Sequence, residues 1–339
     1  MQSSKQPSSP SPSDGRTSGA PSPISASSAA TPEFVSQLLS RRDPSAAVDD
    51  FHFPHDSVFP PEFVEECVAY AVSHGVKSLR LRAPTAGTLR LPVALFASAT
   101  LRELELRQLG KGIYLPRQFS LPNLKTLYLE SELCFDNDCD PLRPWSRLDV
   151  EREPFAGLPE LERLTLRGHP IPRLVIKAPK LRVLEIFFYN GVEEISAPLL
   201  TSFTCHSSSP WKGSKMNLPM LEEVYLDICD TTFNAIGLHQ NFVRMLHQLG
   251  NATTVTLTLD TLKVLALDGG PVEKSPSPFP NIKCLKVVKK EYHEIYTVFK
   301  GVMNYLNFES LMVELPDGVD VVEHNDHGIE YCWSWSALG

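Results

Sequence analysis

The sequence predicts an α/β solenoid with a parallel sheet on its concave side and irregular or helical segments on its convex side. The pattern L-x-x-L-x-L recurs along the chain, as in "LERLTL" at Leu161 and "LRVLEI" at Leu181. Most steps between copies fall in or near the window of about 20–29 residues that is typical of leucine-rich repeats. A phrase containing proline, such as "LPE" or "APK", precedes many copies in a fixed phase. Together these observations predict a leucine-rich-repeat horseshoe.

The copies of the repeat define the strands of the predicted sheet. They begin at Val76, Leu101, Leu124, Leu161, Leu181, Leu200, Leu221, Ala252, Ile282 and Phe308. A single short strand cannot bury its apolar face, so neighbouring copies stack and share one core. Because strand side chains alternate, we expect the first, fourth and sixth positions to point into the core. The third, fifth and seventh positions then point outward on the concave face.

Two segments precede the repeats. Residues 1–32 are mostly Ser, Pro, Ala and Gly. Such a segment cannot bury enough apolar surface to offset its ordering entropy, so we predict that it is disordered. Residues 33–75 are predicted to form a linker, with a short helix in "EFVSQLL", and a capping helix between Pro60 and Gly75. Pro and Gly are typical of helix starts and ends, and the apolar residues between them share one helix face.

The repeats are predicted to fill residues 76–315, and residues 316–339 form a tail without a clear pattern that we expect to cap the last repeat in part. An acidic, proline-rich insertion separates the copies at Leu124 and Leu161. Apolar residues at helical spacing predict helices in "NFVRMLHQLGN" and in "EYHEIYTVFKGVMNYLN". Both helices are expected to pack on the convex side.

Composition argues against several classes of partner. A net charge of −8 and an isoelectric point near 5.7 disfavour a nucleic-acid-binding surface, which normally needs a basic balance. No apolar run approaches the roughly 18 residues of a membrane-spanning helix. The seven cysteines are scattered without a C-x-x-C pair, and the N-terminus lacks the apolar part of a signal peptide. These features predict a reduced, cytoplasmic or nuclear chain that binds neither nucleic acid nor membrane.

Candidates for metal ligands and catalytic residues are weak. By residue type, the metal candidates are Asp136, Asp138 and Asp140, the pair Cys134 and Cys139, and the set His324, His327 and Cys332. A calcium loop starting at Asp136 needs Gly and Glu where the chain has Pro141 and Arg147. No phosphate loop, zincin motif or nucleophile elbow occurs. We therefore predict no enzyme, metal or cofactor; the remote alternative is a hydrolase or metal-dependent enzyme on a repeat scaffold.

The outward positions of the repeats are the better candidates for function. They are rich in arginine and aromatic residues, which anchor many protein interfaces. The alternative is that such positions are polar only because water touches them. The predicted partner-binding residues are Arg80, Arg82, Glu105, Arg107, Tyr128, Glu130, Arg163, Thr165, Arg167, Glu185, Phe187, His206, Tyr225 and Asp227. We expect an unknown protein substrate to bind this face.

Three stretches give the chain a family resemblance. They are "FVSQLLSRRDPSAAVDDFHF", "FVEECVAYAVSHGVKSLRL" and "APLLTSFTCHSSS". With the repeats they resemble plant F-box/leucine-rich-repeat proteins of the subgroup that often ends in an FBD domain, over roughly residues 34–313. The resemblance implies a protein-interaction module that acts as the substrate receptor of an F-box-type ubiquitin ligase. It also implies that residues 316–339 are a remnant of the FBD domain.

The chain departs from this family before Phe34. There the family carries an F-box, which docks on the Skp-type adaptor of a cullin ligase. Here the same positions hold low-complexity Ser, Pro and Ala, without the apolar pattern of three helices. We therefore expect the chain to lack its F-box and the Skp-type adaptor to be a doubtful partner. The alternative function is a scaffold or decoy that binds the same partner without recruiting a ligase.

Overall fold

The structure is a computed structural model. It describes residues 24–25, 47–53, 59–82, 89–107, 113–116, 119–130, 133–135, 153–168, 173–187, 191–208, 210–211, 213–229, 238–266, 276–288, 295–299, 302, 305–306, 312–314, 319–324 and 330–335. The short helix expected in "EFVSQLL" lies outside these residues. So does most of the segment expected to be disordered, of which only residues 24–25 are described.

Strands dominate the described part of the chain. They are β1 Ile24–Ser25, β2 Asp50–Phe53, β3 Ser78–Leu81, β4 Leu89–Arg90, β5 Glu103–Arg107, β6 Ile113–Leu115, β7 Thr126–Glu130, β8 Leu133–Phe135, β9 Arg163–Arg167, β10 Leu174–Lys177, β11 Val183–Phe187, β12 Val192–Ser196, β13 Ser202–Ser207, β14 Lys215–Asn217, β15 Glu223–Ile228, β16 Thr254–Thr258, β17 Cys284–Val288, β18 Ile295–Phe299, β19 Met312–Glu314, β20 Val319–His324 and β21 Glu330–Trp335. The helices are α1 Pro61–Ser73, α2 Leu238–Gln248 and α3 Leu259–Ala266, with a 3-10 helix at Val93–Ala97.

A parallel sheet of twelve described strands forms the body of the protein. Its order is β1-β2-β3-β5-β7-β9-β11-β13-β15-β16-β17-β19, so strands next to each other in space follow one another along the chain. The predicted α/β class with a large parallel sheet is confirmed. In each copy whose side chains are described, the first, fourth and sixth positions are buried, as at Leu161, Leu164 and Leu166. The predicted burial of the inward positions is therefore confirmed.

The sheet begins two strands earlier than the alignment of repeats predicts, with β1 and β2. In "VDDFHF", Val48, Phe51 and Phe53 are buried at the first, fourth and sixth positions of an additional copy. Phenylalanine occupies the fourth and sixth positions, where most other copies have leucine, so the leucine pattern does not mark this copy. Outside this copy, β1 pairs with β2 through Ile24 and Phe51, so these two residues of the segment expected to be disordered form a strand.

The phrases that contain proline are turns that lead the chain into several of the main strands. In "LPNL" the Leu124 N–H donates to the Leu121 carbonyl at 3.2 Å, and in "LPEL" the Leu161 N–H donates to the Leu158 carbonyl at 3.3 Å. Proline suits the second position of such a turn because its ring fixes φ near the required value. The regular phase of these phrases in the sequence therefore reflects one turn per repeat.

Two small parallel sheets lie beside the main one, in the orders β4-β6-β8 and β10-β12-β14. The sequence predicts irregular or helical segments there, so this expectation was incomplete. The strands are short and end just before the next turn, as in "LVIKAP" from Leu174. Gln248 of α2 closes the edge of β14. Its side-chain oxygen accepts from the Met216 N–H at 2.7 Å, and its amide donates to the Ser214 carbonyl at 2.9 Å.

Helix α1 packs where the capping helix was predicted. Its buried residues are Phe63, Val64, Cys67, Val68 and Ala71, the apolar face expected from the sequence. At its end Gly75 has φ of 72°. The Gly75 N–H donates to the Val72 carbonyl and the Val76 N–H to the Ala71 carbonyl, both at 3.1 Å. This pair of bonds is a Schellman motif, in which glycine adopts the left-handed conformation at low cost.

The other helices match the sequence only in part. Helix α2 and the turn directly after it bury the predicted stripe of Phe242, Met245, Leu246 and Leu249, and the prediction is confirmed. Helix α3 was not predicted. It begins after Thr258, whose hydroxyl accepts from the Thr261 N–H at 3.3 Å as an N-cap.

The helix predicted over "EYHEIYTVFKGVMNYLN" is wrong in its first half. Residues 295–299 form β18, which pairs antiparallel with β21, and β21 pairs antiparallel with β20. The stretch Ile-Tyr-Thr-Val-Phe is β-branched and aromatic throughout, which favours a strand over a helix. Val302, Tyr305 and Leu306 are buried, and the Leu306 N–H donates to the Val302 carbonyl as in a helix. The tail thus contains two strands that the sequence did not predict.

Candidate protein-interaction face

The outward residues of the main sheet align in rows across the strands. We call this side, opposite the leucine core, the outer face. One row runs through Arg80, Glu105, Tyr128, Thr165, Glu185, Thr204 and Tyr225. A second row runs through Arg107, Glu130, Arg167, Phe187, His206 and Asp227. With Arg163 in a third row and Arg82 directly after β3, all fourteen predicted residues lie on the main sheet or at its edge; their role in binding stays a prediction.

Ion pairs link the first strands of the outer face. An Arg80 nitrogen lies 3.1 Å from Glu103, and Arg82 Nε lies 2.8 Å from Glu105 Oε1. Arg107 also pairs with Glu105 Oε1, although its Nε lacks hydrogen-bond geometry there. One carboxylate is therefore shared by two guanidinium groups.

Tyr128 is held between charged neighbours. The Arg107 guanidinium carbon lies 3.8 Å from the centre of the Tyr128 ring, within the range of a cation–π contact. The Tyr128 hydroxyl donates to Glu130 at 2.7 Å. Burial and this hydrogen bond raise the pKa of Tyr128 to about 12. The phenol therefore stays protonated near neutral pH and keeps its donor role.

Four side chains on consecutive strands form a continuous stack. The Arg167 guanidinium carbon lies 4.2 Å from the centre of the Phe187 ring. Phe187 and His206 stack at 4.5 Å with an angle of 13° between their planes. His206 and Tyr225 follow at 5.0 Å and 31°. We call these four residues the aromatic stack; it spans β9, β11, β13 and β15.

Hydrogen bonds fix His206 within the aromatic stack. His206 Nδ1 lies 2.8 Å from Asp227 Oδ2, and Thr258 Oγ1 donates to Asp227 Oδ1 at 3.1 Å. Asp227 is only 4% exposed, so it orients His206 rather than offering surface to a partner. Thr165 is similarly buried at 3% exposure and donates to Glu185 at 3.0 Å. These two predicted residues contribute by positioning their neighbours.

Two further residues of this site were missed in the sequence. Thr258 holds Asp227, and the Thr261 hydroxyl lies 2.9 Å from the Thr258 hydroxyl. Thr261 Oγ1 also donates to the Leu226 carbonyl at 3.1 Å and accepts from the Ile228 N–H at 2.8 Å. Thr258 occupies the outward seventh position of the copy at Ala252, so the register could have identified it. Thr261 lies on α3, which the repeat pattern does not predict.

The metal candidates are not brought together in the described part of the chain. Within that part, no group of three or more His, Cys, Asp and Glu side chains is placed to hold a metal ion. His324 lies on β20 and Cys332 on β21. Cys134 lies on β8. The remaining candidates, Asp136, Asp138, Cys139, Asp140 and His327, lie outside the described residues.

No described helix is both long and apolar enough to cross a membrane. No family model matches the chain, and no solved structure matches it.

Curated proteins of Arabidopsis thaliana are similar in sequence to this chain. A putative F-box/LRR-repeat protein is 27% identical over 213 residues, which is 60% of this chain and 37% of the relative. A second putative F-box/LRR-repeat protein is 27% identical over 243 residues, or 66% of this chain and 52% of the relative. A third, an F-box/LRR-repeat protein, is 24% identical over 344 residues, or 87% of this chain and 67% of the relative.

The chain thus spans between about a third and a half of the length of the first two relatives. A fourth relative with the same kind of name is 24% identical over 323 residues. The lack of an F-box stays a prediction. Through their names and their identity of 24–27% with this chain, these four homologues support a plant F-box/leucine-rich-repeat-type protein.

Proposed function

We propose that the chain is a non-enzymatic protein-interaction module that binds a protein partner on its outer face. In this proposal the sheet curves into a leucine-rich-repeat solenoid, with the outer face on its concave side. Residues 76–315 form the solenoid, residues 33–75 its cap, and residues 316–339 a remnant of the FBD domain. The names of the relatives point to a role as the substrate-receptor part of an F-box-type ubiquitin ligase adaptor.

The aromatic stack is the observation that carries this proposal. Aromatic and arginine side chains dominate the binding energy of many protein interfaces. Side chains that are already fixed lose less conformational entropy on binding. Phe187 and His206 are fixed by stacking, and a hydrogen bond to Asp227 orients the His206 ring. If the outward residues were polar only because water touches them, their side chains would not need to be fixed by stacking and hydrogen bonds.

Photo-cross-linking tests the proposal. We would place p-benzoylphenylalanine at Phe187 in the full chain and irradiate it in plant cell extract. The control places the same group at Val93, which is 83% exposed and lies in the 3-10 helix, away from the outer face. We expect a discrete protein adduct from position 187 and none from position 93. Equal labelling from both positions, or no adduct from position 187, would contradict the proposal.

The second candidate function is a scaffold or decoy that binds the partner but recruits no ligase. The observation that favours it is the Ser/Pro/Ala-rich sequence of residues 1–32, where the family resemblance leads one to expect an F-box. A binding titration of the full chain with a purified Skp-type adaptor separates the two functions. Micromolar or tighter binding supports the ligase role and contradicts the predicted lack of an F-box. No binding supports the scaffold.

We further propose that the protein works in the cytoplasm or nucleus and that neither nucleic acid nor membrane is its partner. The net charge of −8 supports the first exclusion, because phosphate contacts need basic surface. We propose that no cofactor or metal takes part in binding.

A further inference from the structure

The outer face is not uniform in charge. From β3 to β9 its outward cations are Arg80, Arg82, Arg107, Arg163 and Arg167. Its outward anions there are Glu103, Glu105 and Glu130. Five arginines less three glutamates give the outward residues of these four strands a charge of +2, which Asp50 on the preceding β2 reduces to +1, whereas the whole chain carries −8. The net charge of this positive half is therefore opposite in sign to the net charge of the whole chain.

The other half of the outer face has the opposite sign. From β11 to β17 its outward charged residues are Glu185, Glu223, Asp227 and Lys286. One lysine less three carboxylates gives −2. The two halves meet between β9 and β11, where Arg167 lies over Phe187. The sign of the face therefore changes in the middle of the sheet, at the aromatic stack.

The carboxylates of the positive half already have donors. Glu103 accepts from Arg80 and Ser78, Glu105 pairs with Arg82 and Arg107, and Glu130 accepts from Tyr128. Glu103 and Glu105 are therefore already ion-paired, whereas Glu130 accepts from a neutral hydroxyl, keeps its charge and lies opposite Arg167 in register. The excess positive charge of this half lies on its arginines, since they are its only counted cations.

Apart from the part left where Arg82 and Arg107 share Glu105, the excess lies on Arg163 and Arg167. Among the described residues, neither has a carboxylate within ion-pair distance or a hydrogen-bond acceptor. Arg163 is exposed, and its neighbours in register are Thr126 and Val183, which carry no charge. Arg167 Nε is buried and without an acceptor in the described structure, although burial without an acceptor is costly for an arginine N–H. Both side chains project from β9, four residues apart.

The orientation of Arg167 suits a carboxylate. Its guanidinium lies against the Phe187 ring, with its central carbon 4.2 Å from the ring centre. A guanidinium that stacks on a ring keeps its N–H groups at its edge, where a carboxylate can accept two of them side by side. On the basis of the proposed function, we propose that Arg163 and Arg167 bind an acidic segment of the protein partner, next to the anchor that the aromatic stack provides.

Fluorescence anisotropy with the full chain and a labelled oligoglutamate peptide tests this inference. The variant is Arg163→Gln/Arg167→Gln, and the matched control is Arg182→Gln. Arg182 is exposed, precedes β11 and lies outside the rows of the outer face. We expect the double variant to weaken binding at least about tenfold, or about 1.4 kcal/mol. The control should change it less than about twofold, a difference of about 0.4 kcal/mol.

Two further measurements sharpen this test. The variant Arg163→Lys/Arg167→Lys keeps both charges but loses the paired N–H groups, so we expect an affinity between those of wild type and the glutamine variant. Circular dichroism melts would establish that each variant folds. Equal binding by wild type and the glutamine variant, no binding of oligoglutamate by wild type, or stronger binding of oligolysine would overturn the inference. Preference for a phosphoserine peptide of equal charge would overturn a carboxylate as the ligand.

The outcome can be separated from that of the proposed function. If position 187 cross-links to a protein and the glutamine variant leaves that adduct unchanged, the outer face binds a partner but not through these arginines. If oligoglutamate binds as expected and position 187 gives no adduct, the proposed function fails while the acidic site remains.

Discussion

Asp227 is a buried carboxylate whose contacts lie within the outer face. It accepts from His206 at one oxygen and from Thr258 at the other, and it is 4% exposed. Asp227→Ala would leave both donors without this acceptor. We expect the free energy of unfolding to fall by about 1–3 kcal/mol, measured by urea denaturation. Glu223→Ala, an exposed carboxylate on the same strand, is the control, and an equal loss in both would contradict the role of Asp227.

His52 lies at the start of the outer face, next to two arginines. Burial, followed by the charges of Arg82 and Arg80, lowers the pKa of His52 below its ordinary value. A group with a lowered pKa in the folded state binds fewer protons than in the unfolded chain. Its contribution to stability is therefore present above the unfolded pKa and is lost as the pH falls through the folded pKa.

The pKa of His52 can be measured by NMR titration of its ring protons. Removing one repelling charge by Arg82→Gln should raise the pKa toward the ordinary value. Arg102→Gln removes an exposed arginine outside the rows of the outer face and should leave it unchanged. A pKa that is already ordinary in the wild-type protein would show that the arginines do not act on His52.

At the scale of the element, helix α1 packs against β4 and the 3-10 helix Val93–Ala97. Val68 is fully buried on its inner side, so Val68→Asp places a charge in the core, which costs several kcal/mol. For a chain of this size we expect the melting temperature to fall by roughly 5–10 °C. The control is Glu66→Gln on the exposed side. An unchanged melt for Val68→Asp would mean that α1 does not pack on the repeats in solution.

Gly157 marks a close approach between two loops. A Cβ atom at this position would lie 1.6 Å from the Phe119 carbonyl oxygen, so the backbone must move to accept any side chain. We expect Gly157→Ala to lower the free energy of unfolding by more than about 2 kcal/mol in urea denaturation. Ala156→Ser, a change at the exposed neighbouring residue, should cost little. A small effect of Gly157→Ala would show that the two loops can separate freely.

At the scale of the whole molecule, the main sheet was predictable because its signal is repeated. Each leucine position is set by the same requirement, which is burial of one strand face. A departure from the pattern in a single copy therefore does not change the predicted sheet. The copy at Val48 was missed because phenylalanine meets that requirement as well as leucine does. The outer face was predictable in position, since alternation fixes which residues point outward.

Features that depend on contacts distant in sequence were not predictable. Residues 295–299 have apolar residues at helical spacing, but pairing with β21 makes them a strand. The short strands such as β10 and β12 need each other as partners, and their few residues carry no period of their own. The aromatic stack likewise depends on register between β11, β13 and β15. Phe187 lies opposite His206, and Tyr225, two residues before the Asp227 that lies opposite His206, contacts the His206 ring diagonally.

The central claim is that the aromatic stack anchors a protein partner on the outer face. The most direct test is isothermal titration calorimetry of the full chain with the protein captured by cross-linking at position 187. We predict that Phe187→Ala/Tyr225→Ala weakens binding by at least about 2 kcal/mol, as expected for anchor residues. Val93→Ala should leave the affinity unchanged, and all variants should keep the wild-type fold by circular dichroism. An unchanged affinity of the folded double variant would contradict the claim.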